Sequence, residues 1–163
     1  MGHEEHKDKA PDEVRCKIIT VSDTRSKEND ESGKMIKELL EKEGHGVCSY
    51  VIVKDDIKQI KEALSTKESE VYIINGGTGV SRRDVTTEAV YDIIDKELSG
   101  FGELFRKLSF DEIGSAAFMS RAIAGINEDE VVFALPGSAS AVELGMKELI
   151  LPELGHIVYE VNK

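Results

Sequence analysis

No apolar run in this 163-residue chain approaches the roughly 18 residues that a membrane-spanning helix needs, so neither a bilayer span nor a membrane partner is expected. The N-terminal stretch MGHEEHKDKAPDEV lacks the apolar centre of a signal peptide, and a cytoplasmic location is expected. Basic residues are in deficit: 21 Lys and Arg stand against 32 Asp and Glu, a net charge of −11. A chain so charged has no general basic face, so no nucleic-acid partner is expected. The deficit does not exclude a small anionic ligand, because a local pair such as Arg82 and Arg83 can dominate one pocket. Cysteine is scarce. Cys16 and Cys48 lie 32 positions apart, which matches no metal-ligand spacing. Both fall in strand-like apolar runs and read as reduced, buried thiols, with a disulfide between neighbouring strands as the alternative.

What is present reads as one globular domain. Hydrophobic residues make up 40% and charged residues 33%, and no internal repeat or interior linker divides the chain. Residues 1–13 read as a flexible polar tail in which His3 and His6 are solvated, and residues 14–163 as a single domain. From Cys16 onward, apolar β-branched runs alternate with helical periodicity. CKIITVSD, GVCSYVIVKDD and EVYIINGGTG read as buried strands ending in polar loops. Between them, Met35, Ile36, Leu39 and Leu40 share one helical face, as do Ile57, Ile60 and Leu64, and Gly44 and Gly46 stop the first of these helices. Ala89, Val90, Ile93, Ile94 and Leu98 predict a third helix across TTEAVYDIIDKEL. GFGELFRKLSFDEIGSAAFMSR reads as helical with breaks at Gly100, Gly102 and Gly114. AIAGI and VVFALP predict a short hairpin around NEDE; Val142, Met146, Leu149 and Ile150 predict a last helix, which Pro152 ends or kinks. The order implies an α/β fold with three α/β/α layers, a mainly parallel sheet and a short hairpin in the second half.

In open parallel sheets, ligands bind outside the carboxyl ends of the strands. VSDT, VKDD, NGGTG and LPGS each follow a strand, so the four loops converge on one rim. In NGGTG, Gly76, Gly77 and Gly79 let the backbone pass close to a ligand and reach positive φ. Backbone N–H groups and the following helix N-terminus favour anions, Thr78 adds a hydroxyl, and Arg82 and Arg83 add charge. With Ser81, Arg82, Arg83 and Asp84 following, the loop reads as a phosphate site rather than a plain glycine-rich turn. Two familiar phosphate motifs are absent. No lysine follows as in G-x-x-x-x-G-K-[ST], and Arg82 stands where G-x-G-x-x-G needs its third glycine. Neither a P-loop nucleoside triphosphatase nor a nicotinamide dehydrogenase fits. Asp55, Asp56 and Asp84 place carboxylates at neighbouring strand ends, and carboxylates facing a phosphate imply a divalent cation such as Mg²⁺. One of Asp55 and Asp56 caps the next helix and leaves the other free; the alternative for Asp84 is a cap near Thr86 and Thr87. After Pro136 and Gly137, Ser138 and Ser140 cap a helix or donate to a ligand, while Ser22 and Asp23 bind a polar ligand or form a strand-end turn.

TVSDT, NDESG, VKDD, NGGTGVSRRDVTTEAV, GFGELFRKLSFDEIG, MSRAIAGI and LPGS occur in the order seen in the MoaB/MogA family. The resemblance runs from about Cys16 to Leu154, and GFGELFRKLSFDEIG is closer to the MoaB branch. It implies a molybdopterin adenylyltransferase of molybdenum or tungsten cofactor biosynthesis. ATP, the co-substrate, gives AMP to the terminal phosphate of molybdopterin, and pyrophosphate leaves. The resemblance implies that Asp55 and Asp84 are catalytic and act through Mg²⁺, and that Gly76, Gly77, Thr78 and Gly79 cradle phosphate. It adds Ser22 and Asp23, Ser32 and Gly33, Ser120 and Arg121, Glu103, and the turn of Pro136, Gly137 and Ser138 as binding positions, beside Arg82. It also implies a homo-trimer or homo-hexamer and a downstream metal-insertion partner. Phe101, Leu104 and Phe105 read equally as core or as interface. The chain departs from many members at Lys54, where proline is common, and in PGSAS, where several relatives have PGNP. A protein that holds or delivers molybdopterin without catalysis is the alternative reading.

Overall fold

The computed structural model describes residues 9–163; the histidines at positions 3 and 6 lie outside the described residues. Six strands form one sheet: β1 (Arg15–Val21), β2 (Gly46–Val53), β3 (Val71–Asn75), β4 (Lys96–Glu97), β5 (Ile123–Asn127) and β6 (Glu130–Leu135). Their order is β2-β1-β3-β6-β5-β4. β1 pairs parallel with β2 and β3, and β3 with β6; β5 runs antiparallel to β6 and β4. The helices are α1 (Glu31–Lys42), α2 (Ile57–Leu64), α3 (Thr86–Tyr91), α4 (Ser99–Ile113), α5 (Ala139–Gly145) and α6 (Leu151–Asn162).

The apolar runs are unbroken because both faces of the sheet are covered. Alternate residues feed two separate cores. Ile18, Ile73, Phe133 and Leu135 pack with α1, α4, α5 and α6 residues such as Ile36, Phe105, Val142 and Leu154. Ile19, Tyr72, Ile74 and Val132 pack with Ile60, Leu64, Ala89 and Val90 of α2 and α3. The chain leaves β1 for a helix on one face and leaves β3 for a helix on the other. The point between β1 and β3 is therefore where the connections diverge, which opens a crevice at the strand ends. The in-register pairs Val21–Val53, Thr20–Asn75 and Asn75–Leu135 put the ends of β1, β2, β3 and β6 on that one rim, as expected.

Several local expectations are corrected. The third helix stops at Tyr91 rather than running to Leu98. Asp95 and Leu98 instead donate their N–H groups to Ile126 and Ala124, which builds β4 on the open edge of β5. Ile94 packs over Gly125, whose Cβ would lie 2.7 Å from its side chain. Gly100 and Gly102 do not break α4; Gly102 lets the helix approach β5 so closely that a Cβ would stand 2.8 Å from the Ala122 carbonyl. Gly114 does end it, at φ +73. The last predicted helix changes its winding ahead of Pro152: Met146–Ile150 form a π-helical turn after α5, and Pro152 stands in the first turn of α6. Phe105 is buried and Phe101 stacks beside it and against Phe133, whereas Leu104 faces outward. Cys16 is buried, with its thiol pKa pushed up to about 12 chiefly by burial. Cys48, expected to be buried, is exposed: it is the unpaired extra residue of a β-bulge, since Cys16 pairs with Val47 and Lys17 with Ser49. Both thiols are free.

Ile73 lies fully buried on β3, the strand both flanking ladders share. Ile73→Ala should cost about 2–5 kcal/mol of stability, read as a lowered urea midpoint with an unchanged m-value.

Candidate functional site

The glycine loop leaves β3 under strict backbone constraint. Gly76 and Gly77 adopt φ of +97 and +72, where a side chain is strained. A Cβ on Gly76 would collide with the Val21 carbonyl, and one on Gly77 with the Thr86 hydroxyl. The loop is closed from inside. Thr86 donates its N–H to the Gly77 carbonyl at 3.0 Å and its hydroxyl to the Gly76 carbonyl at 2.8 Å. The first amide of α3 is thus already used, and the helix has only six residues. That first amide is therefore not open to a ligand.

Arg121 braces the same loop from the other side. Its backbone N–H donates to the Thr78 carbonyl at 2.8 Å, its Nε to the Gly79 carbonyl at 2.8 Å and its Nη2 to the Asp84 carbonyl at 2.9 Å. Glu88 takes the rest of the guanidinium in an ion pair, and that contact holds the Glu88 carboxyl below its usual value. Arg121, marked as a binding position, is occupied as a loop brace. Glu88, which sequence reasoning passed over, is its partner; its place one turn into the helix after the loop was the available signal. The hydroxyls of Thr78 and Ser120 are buried without a protein partner among the described residues, which leaves both for a ligand.

Three carboxylates meet beside the loop. The Asp55 Oδ1 lies 3.4 Å from where a Cβ of Gly77 would sit, and an Asp84 oxygen 2.7 Å from that of Gly79. Asp23 accepts from the Asp55 N–H at 3.2 Å. Asp56, not Asp55, caps α2, accepting from the Gln59 N–H at 2.9 Å. Asp84 does not cap α3; it closes its own turn by accepting from the Ser81 N–H at 2.9 Å. Burial, and then the charges of Asp23 and Asp84, push the Asp55 pKa up. Mutual repulsion of that kind is what a divalent cation relieves. No group of three or more His, Cys, Asp or Glu is placed to cage a metal among the described residues. The donors fit Mg²⁺ held by one or two carboxylates, with ligand oxygens and water completing the shell. Arg82 is exposed, and Arg83, 76% exposed, pairs with Asp23 at 3.6 Å.

The loops after β1 and β6 complete the rim. The Ser22 hydroxyl accepts from the N–H groups of Thr24 and Arg25, so it folds the turn. Ser32 is buried and donates to the Gly137 carbonyl at 2.6 Å. Gly33 has no room for a Cβ between Asp30, Tyr50 and Thr20. Gly137 lies against Gly76, with 3.2 Å between its Cβ position and the Gly76 Cα. Pro136 leads into that turn, and Ser138 caps α5, accepting from the Ala141 N–H. Glu103 stands apart, exposed on α4, with no contact that ties it to the loop. Beyond the Arg121 brace lies a 330 Å³ cavity lined by Tyr91, Glu97, Arg106, Phe118, Ser120 and Arg121 among others. Arg106 reaches the carbonyls of Ser120 and Ala122 there.

Residues 17–156 match the family model described as "Probable molybdopterin binding domain". The chain is 53% identical to "Molybdenum cofactor biosynthesis protein B" of Bacillus cereus, over all of this chain and 99% of that protein. Among solved structures, a crystal structure of "Molybdenum cofactor biosynthesis protein B" superposes with a TM-score of 0.90 at 54% identity, covering 94% of this chain and 98% of that one. A crystal structure of the "tungsten cofactor synthesizing protein MoaB from Pyrococcus furiosus" superposes at 0.86 with 40% identity, covering 94% and 100%.

Two outcomes follow from this geometry. Gly77→Ala should destabilise the fold by about 1–3 kcal/mol, measured by chemical unfolding, through positive φ and the Thr86 clash together. The folded-state pKa of Asp55 lies above the usual aspartate value of about 3.9, so the folded protein holds that proton more tightly than the unfolded chain. Stability is then lost as pH rises from about 4 through the folded-state pKa. Asp55→Asn should therefore raise the melting temperature at neutral pH in metal-free buffer, and addition of Mg²⁺ should narrow the difference from wild type.

Proposed function

The chain belongs to the family of probable molybdopterin binding domains, and from that membership we propose that it adenylylates molybdopterin in molybdenum or tungsten cofactor assembly. In this reading, an oxygen of the terminal molybdopterin phosphate attacks the α-phosphorus of ATP. A new P–O bond forms, the bond to the bridging oxygen breaks, and its electron pair leaves with pyrophosphate. The observation that carries the reading is the backbone phosphate cradle of Gly76 to Gly79 set against the carboxylates of Asp23, Asp55 and Asp84. Such transfer is a problem of position and charge, and it needs no protein nucleophile. The inert, buried Cys16 and the remote bulge at Cys48 agree with that.

Asp55 and Asp84 are the residues that would hold Mg²⁺, which when bound offsets the charge of the polyphosphate. The glycine loop and the hydroxyl of Thr78 fix the phosphates, while Arg121 and Glu88 keep the loop in shape. The neighbouring cavity suits the pterin: Glu97 can accept from its ring N–H groups, Arg106 can donate to its carbonyl, and Tyr91 and Phe118 offer aromatic surface. Phe110, Ile113 and Phe118, the last 77% exposed, form an apolar face along α4 and the turn after it. That face supports a homo-trimer or homo-hexamer, with a metal-insertion protein taking the product. We place this work in the cytoplasm.

Purified protein supplied with molybdopterin, ATP and Mg²⁺ should release pyrophosphate and yield an adenylylated pterin. Asp84→Asn should cut the rate on the order of a hundredfold or more. Pterin binding without product, in every nucleotide and divalent metal tried, would instead identify a carrier of molybdopterin.

A further inference from the structure

The rim described above is rich in carboxylates, yet its ligand is a polyanion, so the position of each fixed cation matters. Arg121 is ion-paired with Glu88 and donates to the loop carbonyls, its position set by the brace. Arg83 is mostly exposed and paired with Asp23, and Arg82 is exposed. Arg25 differs from all three. The turn that Ser22 folds brings it back over the strand ends, where its Nη2 donates to the Gly137 carbonyl at 2.9 Å. Its Nη1 lies 3.6 Å from Asp30 and 3.5 Å from the Cβ position of Gly137, which itself touches Gly76. Asp30 is fully buried and also accepts from the Thr20 hydroxyl at 2.6 Å, the Gly33 N–H at 3.0 Å and the Tyr50 hydroxyl. A buried carboxylate so occupied fixes the guanidinium in place without taking all of its five N–H donors. The Arg25 side chain stays 33% exposed, at the junction of the glycine loop and the β6 turn.

We infer that Arg25 is a phosphate-binding residue of this site, donating to a phosphate oxygen of the ligand seated on the glycine loop. The inference rests on the polyphosphate reading of that loop but not on AMP transfer itself. A fixed guanidinium suits the task because its planar fork matches phosphate oxygens and little freedom is lost on binding.

Isothermal titration of the full chain with inorganic pyrophosphate and Mg²⁺ tests it. Arg25→Gln removes the charge, and should weaken pyrophosphate on the order of tenfold or more. Arg25→Lys, with the charge kept, should recover a clear part of that loss. An affinity unchanged by Arg25→Gln, or lost as fully in Arg25→Lys, would overturn the inference and leave Arg25 as a brace of the turn. Wild type that takes no pyrophosphate would overturn it too. AMP transfer measured alongside separates the two readings. Transfer with an Arg25-independent pyrophosphate affinity sinks this inference alone, and Arg25-dependent binding without transfer sinks the enzymatic reading alone.

Discussion

The carboxylate of Asp30 is the constraint on which the site depends. It lies wholly inside the protein, and burying a charge is costly unless every side of it is answered. The answers come from different parts of the chain: a hydroxyl from β1, a phenol from β2, an amide from the start of α1 and the guanidinium of Arg25. Thr20 in turn accepts from the side chain of Asn75 on β3. Through Arg25 and Ser32, the same network reaches the Gly137 carbonyl after β6. One charge thus registers three strand ends and two loops against one another, and the glycine loop is stretched between them.

Much of this was legible in the residues. Unbroken β-branched runs gave the buried strands, and the polar residues after each run marked the rim. The glycine loop was readable because only glycine tolerates Gly76 and Gly77 where they lie. The choice between Asp55 and Asp56 as helix cap could be framed but not made, since either spacing satisfies a cap. What stayed hidden was decided by tertiary contact. Ile93, Ile94 and Leu98 have helical spacing, yet the open edge of β5 claims the backbone around them. Gly102 reads as a helix breaker and is a point of close approach. The roles of Asp30, Arg25 and Glu88 depend on partners 20, 112 and 33 positions away, and no local pattern carries such information.

The distribution of charge on the rim follows one logic. Arginines that face water are paired or free to move, while those that shape the site are tied to carbonyls. Each of these also faces a carboxylate, Asp30 for Arg25 and Glu88 for Arg121, so carbonyl and countercharge together hold the guanidinium. Beside the glycines, burial and then the charges of Asp23 and Asp84 push the Asp55 pKa up. The site therefore concentrates like charge beside the glycine loop.

The bulge at Cys48 has a bearing on how copies of this protein meet. β2 is an outer strand of eight residues, and its free edge offers amide groups that another sheet could extend. The extra residue at Cys48 breaks the repeat of those groups and bends the strand. A second molecule laid along it would lose register within a few residues. Growth of the sheet from molecule to molecule is thereby opposed at its longest exposed border.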